Sequence, residues 1–206
     1  MKVIKKIIEF VMDIHETIVF VGSLFIVIYL FILQPNQIRG ASMEPTFESG
    51  DYIFTSKITY RFRNVQRGDV IVFRSPRNPD IEFIKRIIGL PGDSIRINNE
   101  EVYVNGRQLS ENYISAKTPL WEGGFIKNDQ EVIVPMGHLF VMGDNRPRSS
   151  DSREFGFVEI ESIIGQVFYR YFPSDKIGTI DNPFPNDFRS EAIKYMVHLF
   201  IHPVSG

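Results

Sequence analysis

The strongest feature of the hydropathy pattern lies at the front of the chain. Ile18 to Leu33 runs apolar without a charge, and Ile14 extends the stretch past His15 and Glu16. A membrane-spanning helix needs about 17–25 such residues, so an anchor is expected over residues 14–33. Lys2, Lys5 and Lys6 precede it, whereas the flank behind it carries only Arg39 before Glu44, Glu48 and Asp51. That lysine excess predicts a single-pass protein of the cell membrane, with residues 1–13 cytoplasmic and the remainder outside. A cleaved signal peptide fits less well. Its core would be shorter, and Gln34-Pro35-Asn36-Gln37-Ile38-Arg39 offers no small-x-small cleavage site. A buried core helix suits a shorter run.

From Gly40 onward the period changes. Asp69-Val70-Ile71-Val72-Phe73 is a short β-branched run opened by Gly68 and closed before Pro76. Ile95-Arg96-Ile97 and Val102-Tyr103-Val104 alternate around Asn98-Asn99-Glu100-Glu101, which reads as a hairpin, and Asn105-Gly106 supplies the next turn. Glu131 to Val134, His138 to Met142 and Ile163 to Tyr171 are the other strands expected. Many short strands separated by turns predict a mainly β domain over residues 34–180, built as a sandwich or barrel. Asp181-Asn182-Pro183-Phe184-Pro185-Asn186 reads as a linker. Ser190 to Ile201 has the spacing of a short amphipathic helix, which makes residues 181–206 a C-terminal tail that packs on the domain or touches membrane lipid.

Composition narrows the chemistry. The 206 residues hold 23 lysines and arginines against 25 acids, so no strong positive field favours nucleic acid. The absence of cysteine removes disulfides, thiolate-bound metals and a cysteine nucleophile. None of the four histidines lies in an HExxH pattern. His198 and His202 share a helical spacing but have no paired carboxylate nearby, so neither a metal nor a cofactor is expected.

Three polar clusters remain. Ser42 stands nine residues behind the apolar span, within about 30 Å of the membrane surface by chain length alone, between residues small enough to admit a second chain. On its own, a serine beside glycine is usually a turn residue. Lys85 lies in an apolar strand pattern, with Phe83 and Ile87 expected on its own face. Burial there would lower its pKa, and a neutral amine can serve as the base for a serine; the alternative is a lysine whose stem merely covers apolar surface. Gly143 to Arg153 is densely polar behind the apolar Leu139-Phe140-Val141-Met142.

Taken in order, these clusters resemble the type I signal peptidases of prokaryotic type. Ser42-Met43-Glu44-Pro45-Thr46 matches the nucleophile box and Gly68 to Phe73 a strand box. Lys85 to Asp93 matches the lysine box, and Gly143 to Arg153 the last box. The resemblance implies an all-β catalytic domain, related to the self-cleaving domains of SOS repressors, behind one transmembrane helix. It also implies a small insertion at about 94–134. By the same resemblance Ser42 is the nucleophile and Lys85 its general base. Ser149 would hydrogen-bond the Lys85 amine, while Asp144 pairs with Arg86 and Asp151 with Arg153. The Ser42 N–H would be one oxyanion donor. Some members add a serine hydroxyl two residues before the nucleophile, where this sequence has Gly40. Phe47 stands where the family often has leucine, and is expected to narrow a pocket or face the membrane.

The implied substrates are secreted preproteins cut after a small-x-small motif. Ile38, Met43, Val72 and Ile84 are expected to form the shallow apolar pockets that select alanine, at about 1–3 kcal/mol per methylene-sized difference. Two alternatives are weighed. A self-cleaving SOS-repressor-like protease should lack the span, and an inactive tethered β-module binding partners has no need of an intact serine and lysine.

Overall fold

The computed structural model describes residues 2–184. The helix expected over Ser190 to Ile201, with His198 and His202, lies outside them.

Helix α1, Lys2–Phe31, begins well before the apolar run. Ile4, Ile7, Ile8 and Val11 recur at helical spacing, and Lys5 pairs with Glu9 one turn on, so the helical period is already in place there. None of its side chains is buried. It is long and apolar enough to cross a membrane. It stops at Phe31, two residues short of the expected end. Pro35 forces the residue before it out of the helical region, and the Ile32 carbonyl is instead taken by the Lys57 N–H at 2.9 Å.

Strand β1, Leu33–Gln37, follows directly and pairs antiparallel with β2, Tyr52–Ser56. Neither strand was legible from alternation alone, because Pro35 interrupts the pattern of β1. The proline is tolerated since β1 lies at the edge of its sheet. A one-turn helix α2, Thr59–Phe62, leads to β3, Val70–Arg74, and β4, Glu82–Gly89. Then come β5, Ser94–Asn98, β6, Glu101–Val104, β7, Arg107–Gln108, and β8, Glu131–Ile133. Last are β9, His138–Met142, α3, Ser152–Phe155, β10, Val158–Glu159, β11, Ile163–Phe172, and β12, Gly178–Thr179.

Two antiparallel sheets result. The larger runs β1-β2-β11-β3-β4-β9-β10 with β12 beside β11, and the smaller runs β7-β6-β5-β8. The smaller sheet is drawn from residues 94–133. Its first hairpin turns through Asn99 and Glu100, both at positive φ, and the next through Asn105 and Gly106, as two-residue hairpin loops require. The fold is thus the mainly β architecture expected, as two packed sheets.

Alternation places the core. On β9, Phe140 and Met142 pack toward the small sheet with Ile88, Ile95, Ile97, Val102 and Val104. Leu139 and Val141 point the other way, onto Ile71, Phe73 and Ile87. A third cluster joins Ile38, Met43, Phe47, Ile53, Val70, Val72 and Val167, and it is the base on which the Ser42 turn sits. Two expectations change here. Phe47 is fully buried in that cluster, under the Arg170 guanidinium at 5.5 Å, so it neither narrows a pocket nor faces lipid. The segment read as a linker is also packed in part: Phe184 is buried in the core between the sheets and Asn182 donates to the Arg67 carbonyl at 2.8 Å.

Phe47→Ala is expected to cost about 3–5 kcal/mol, since it empties the floor beneath the Ser42 turn. Denaturant titration of the detergent-solubilised chain followed by circular dichroism measures it; a loss below about 1 kcal/mol would show that this floor is not a rigid support.

Candidate active site

The turn from Gly40 to Phe47 carries Ser42 out of the third core cluster. Its ends are fixed by backbone bonds: Ile38 N–H to the Asp51 carbonyl at 2.8 Å, Gly50 N–H to the Ile38 carbonyl at 2.9 Å, and Phe47 N–H to the Met43 carbonyl at 2.9 Å. Gly40 sits at φ +97°, a conformation L side chains rarely adopt, so the departure from serine there has a backbone reason. Met43 plugs the turn into the core, and Ser42 is left half-buried above it.

Lys85 reaches the turn from the middle of β4. Its Nζ lies 2.9 Å from Ser42 Oγ and donates to the Ile84 carbonyl at 2.9 Å. The Phe83 ring lies beneath the same nitrogen, 5.3 Å from its centroid. Lys85 is only 4% exposed. Burial lowers its pKa from 10.5 to about 8; Asp151 and Asp144 pull the other way, and Arg153 adds to the lowering. The amine is therefore close to giving up its proton near neutral pH, as a base for a hydroxyl must be.

Both expected ion pairs are present. Arg86, next along β4, grips Asp144 through Nε at 2.9 Å and Nη2 at 2.6 Å, and also donates to the Gly68 carbonyl at 2.9 Å. Arg153 grips Asp151 through Nε at 2.8 Å and Nη2 at 2.8 Å. Asp151 in turn accepts from the Gly143 N–H at 3.0 Å, and the Asn145 N–H donates to the Ser42 carbonyl at 3.0 Å. The polar loop thus braces the backbone of the Ser42 turn. Gly143 stands where the strands converge: a side chain there would collide with Ser42 O and Ser149 Oγ.

Ser149 is placed differently from expectation. It is 3% exposed and close to Gly143, but its hydroxyl makes no hydrogen bond to Lys85 or to any described residue. The amine spends its second donor on the Ile84 carbonyl instead. Of the four pocket residues, Ile38, Val72 and Ile84 line one cleft of about 300 Å³, with Asn36, Gln37, Arg39, Ile53, Glu82 and Phe83. Met43 is not on its wall; it is buried below, because its side chain fills the core under the turn.

Sequence reasoning missed Thr46, whose hydroxyl donates to Asp144 Oδ2 at 2.5 Å and joins the serine turn to the Arg86 pair. It lies in the quoted nucleophile box, so the signal was there without a role. Glu111, Tyr113 and Thr118, which surround the buried Arg146, carry no local motif at all.

A half-buried serine hydroxyl within hydrogen-bond reach of a buried, pKa-lowered lysine is a constellation suited to hydrolysis by a serine nucleophile. The family described as signal peptidase, peptidase S26, matches residues 9–172. The chain is 38% identical to a probable signal peptidase I-2 of Synechocystis sp. over 188 residues, 89% of this chain and 81% of that one. It is 31% identical to signal peptidase IB of Staphylococcus aureus over 185 residues, 83% of this chain and 96% of that one. A crystal structure of a signal peptidase I from Enterococcus faecalis shares 38% identity, with 50% of this chain and 97% of that chain covered at a TM-score of 0.42. The chain belongs to the signal peptidase family.

Lys85→Met tests the desolvated amine through stability. Because the folded-state pKa is the lower one, the charged amine opposes folding; the penalty is complete below pH about 8 and fades as pH rises toward 10.5. The variant is expected to be more stable than wild type at pH 6, by up to about 3 kcal/mol. Imperfect packing and the lost hydrogen bonds subtract from this gain. Its advantage should vanish by about pH 10.5, the unfolded value. Melts at several pH values read the difference, and a gap that stays flat with pH would mean that the amine is not desolvated.

Proposed function

We propose that this chain is a membrane-bound serine endopeptidase that removes signal peptides from secreted preproteins, with Ser42 as nucleophile and Lys85 as general base. The observation carrying the reading is the 2.9 Å approach of a buried lysine amine to Ser42 Oγ.

The substrate has a place to lie. β9 pairs with β4 only from Arg86 onward, so the Glu82–Lys85 half of β4 is paired to β3 alone. Across from its open edge runs the Asn36–Arg39 stretch, with the cleft between. An extended peptide entering there adds a strand to the sheet and brings its carbonyls past Ser42. Ile38, Val72 and Ile84 then form a shallow apolar floor that accepts alanine-sized side chains.

The uncharged Lys85 amine takes the proton from Ser42 Oγ as that oxygen attacks the scissile carbonyl carbon. The Ser42 N–H stabilises the oxyanion, and such a donor is worth about 2.7–4 kcal/mol. The intermediate collapses by returning the proton through Lys85 to the leaving amine, the new N-terminus of the mature protein. The signal peptide stays as an ester on Ser42. Lys85 then deprotonates a water, which attacks the ester and frees the serine. The Ser149 hydroxyl, buried beside Gly143 and without a partner among the described residues, would have to turn toward Lys85 to accept an N–H of the uncharged amine and so aim its lone pair at Ser42. Arg86–Asp144 and Arg153–Asp151 support the site. An inactive tethered module is the less favoured reading, because it gives no reason to bury an amine against a serine.

Ser42→Ala should leave folding intact and abolish cleavage of a preprotein with alanine at both specificity positions. For the wild type, kcat/KM should rise tenfold per pH unit up to about pH 8 and then level, as the amine loses its proton. Full activity at pH 5 would exclude a lysine base.

Topology is a separate expectation. The charge excess of Lys2, Lys5 and Lys6 favours an N-terminus in the cytoplasm and a domain outside. Protease added to cells stripped of any wall should degrade the domain; protection until the membrane is permeabilised would reverse this assignment.

A further inference from the structure

Between β7 and β8 the chain runs from Leu109 to Gln130 without a regular strand or helix, yet it closes over the polar cluster behind the dyad. Five of its residues contact three arginines. The Glu111 carboxylate binds both Nη atoms of Arg146, with Nη1 to Oε2 at 2.9 Å, and Thr118 Oγ1 accepts from that Nη1 at 2.5 Å. Tyr113 donates to Glu111 Oε1 at 2.8 Å, and its ring lies 4.5 Å from Arg86 Cζ. The Pro119 carbonyl accepts from Arg153 Nη1 at 2.9 Å, while the Trp121 ring covers Arg153 Cζ at 4.5 Å. Each arginine is thus held on its outer side by this segment and on its inner side by the loop that braces Ser42.

Arg146 is the informative one. It is 0% exposed, and its ion pair is with Glu111 rather than with Asp144 or Asp151. Its Nε donates to the Gly143 carbonyl at 3.1 Å, and Gly143 packs directly against Ser42 O. Two residues on, the Asn145 N–H holds that same carbonyl at 3.0 Å. A short path therefore leads from Glu111 through one guanidinium to the backbone behind the nucleophile.

We propose that Glu111, steadied by Tyr113, is a positioning residue for the Ser42–Lys85 dyad: it holds Arg146 so that Gly143 to Asn145 stay pressed against Ser42, and it balances the one guanidinium of the three that neither aspartate pairs. This rests on the dyad reading given above. Around Lys85 the charged groups are Asp144 and Asp151 from the polar loop, Arg153 beside Asp151, and Arg86 on its own strand. Arg146 adds its charge to Arg86 from behind. With Glu111 neutral, that buried charge is unbalanced and opposes a further cation in the cluster. Lys85 then loses its proton at lower pH.

The experiment compares wild type, Glu111→Gln and Glu111→Asp as full-length chains in detergent, measuring preprotein cleavage from pH 5 to 10 with folded fraction read by near-UV circular dichroism. Glu111→Gln is expected to lower kcat about tenfold or more by loosening the nucleophile's support. KM should stay within about twofold, because the cleft of Ile38, Val72 and Ile84 lies elsewhere. Its acid limb should move down by about half a pH unit. Glu111→Asp keeps the charge and shortens the reach, so its kcat should fall while the limb stays at the wild-type pH. A Glu111→Gln limb that superimposes on wild type, or a loss confined to KM, would each overturn the proposal. Should Glu111→Gln fail to fold, Glu111→Asp decides: an unchanged kcat overturns the positioning role, and a lowered kcat with an unmoved limb supports it. A wild type without an acid limb near pH 8 would instead refute the dyad reading itself.

Discussion

Holding a buried amine close to losing its proton, within reach of two carboxylates, is the constraint on which the rest of this structure depends. Asp144 and Asp151 each favour a protonated Lys85, and left alone they would hold it as an inert ammonium. Each is instead occupied by an arginine in a two-point grip. Arginine suits this role because its charge persists at any pH the protein meets and its fork matches a carboxylate. With the aspartates satisfied, desolvation becomes the largest influence on the lysine, and its pKa falls to about 8.

Such an arrangement is poorly explained by stability. Buried ion pairs repay little of the cost of removing two charges from water, and apolar replacements of similar volume often do as well. Here the paired groups also make bonds no apolar side chain could make. Asp151 takes the Gly143 N–H, Arg86 takes the Gly68 carbonyl, and Asp144 takes the Thr46 hydroxyl. These fix three separate chain segments around one serine. Geometry is what the buried charges secure, and the two sheets supply a rigid frame for it.

Much of this was legible in the sequence, for reasons that differ by element. The strands β5 and β6 announced themselves by alternation and an intervening turn, β3 by a β-branched run between Gly68 and Pro76, and the meeting of Ser42 with Lys85 by four motifs in order. β1 was hidden because Pro35 breaks its pattern and because an apolar anchor runs straight into it. Phe47 was misplaced since an exposed and a buried phenylalanine look alike until the partners, here Ile53, Val70 and Val167, are known. Met43 was expected on the pocket wall, but a turn sends neighbouring side chains to opposite sides. Ser149 illustrates another limit: the resemblance implied a hydrogen bond to Lys85, but a motif does not say which way a hydroxyl points. Glu111 is farthest from legibility, because an ion pair spanning 35 residues leaves no local trace.

The junction between α1 and β1 consists of Ile32 alone, and Lys57 ties it down from β2's side, through its N–H to Ile32 O and its Nζ to Leu30 O at 3.4 Å. There is no slack there. β1 then rises about 17 Å before the chain turns toward Ser42. A domain joined this way behaves as a ruler stood on its own post, with the blade at one fixed mark. Where α1 ends thus fixes where the Ser42 turn stands, because neither a one-residue junction nor a strand paired along its whole length leaves chain to pay out.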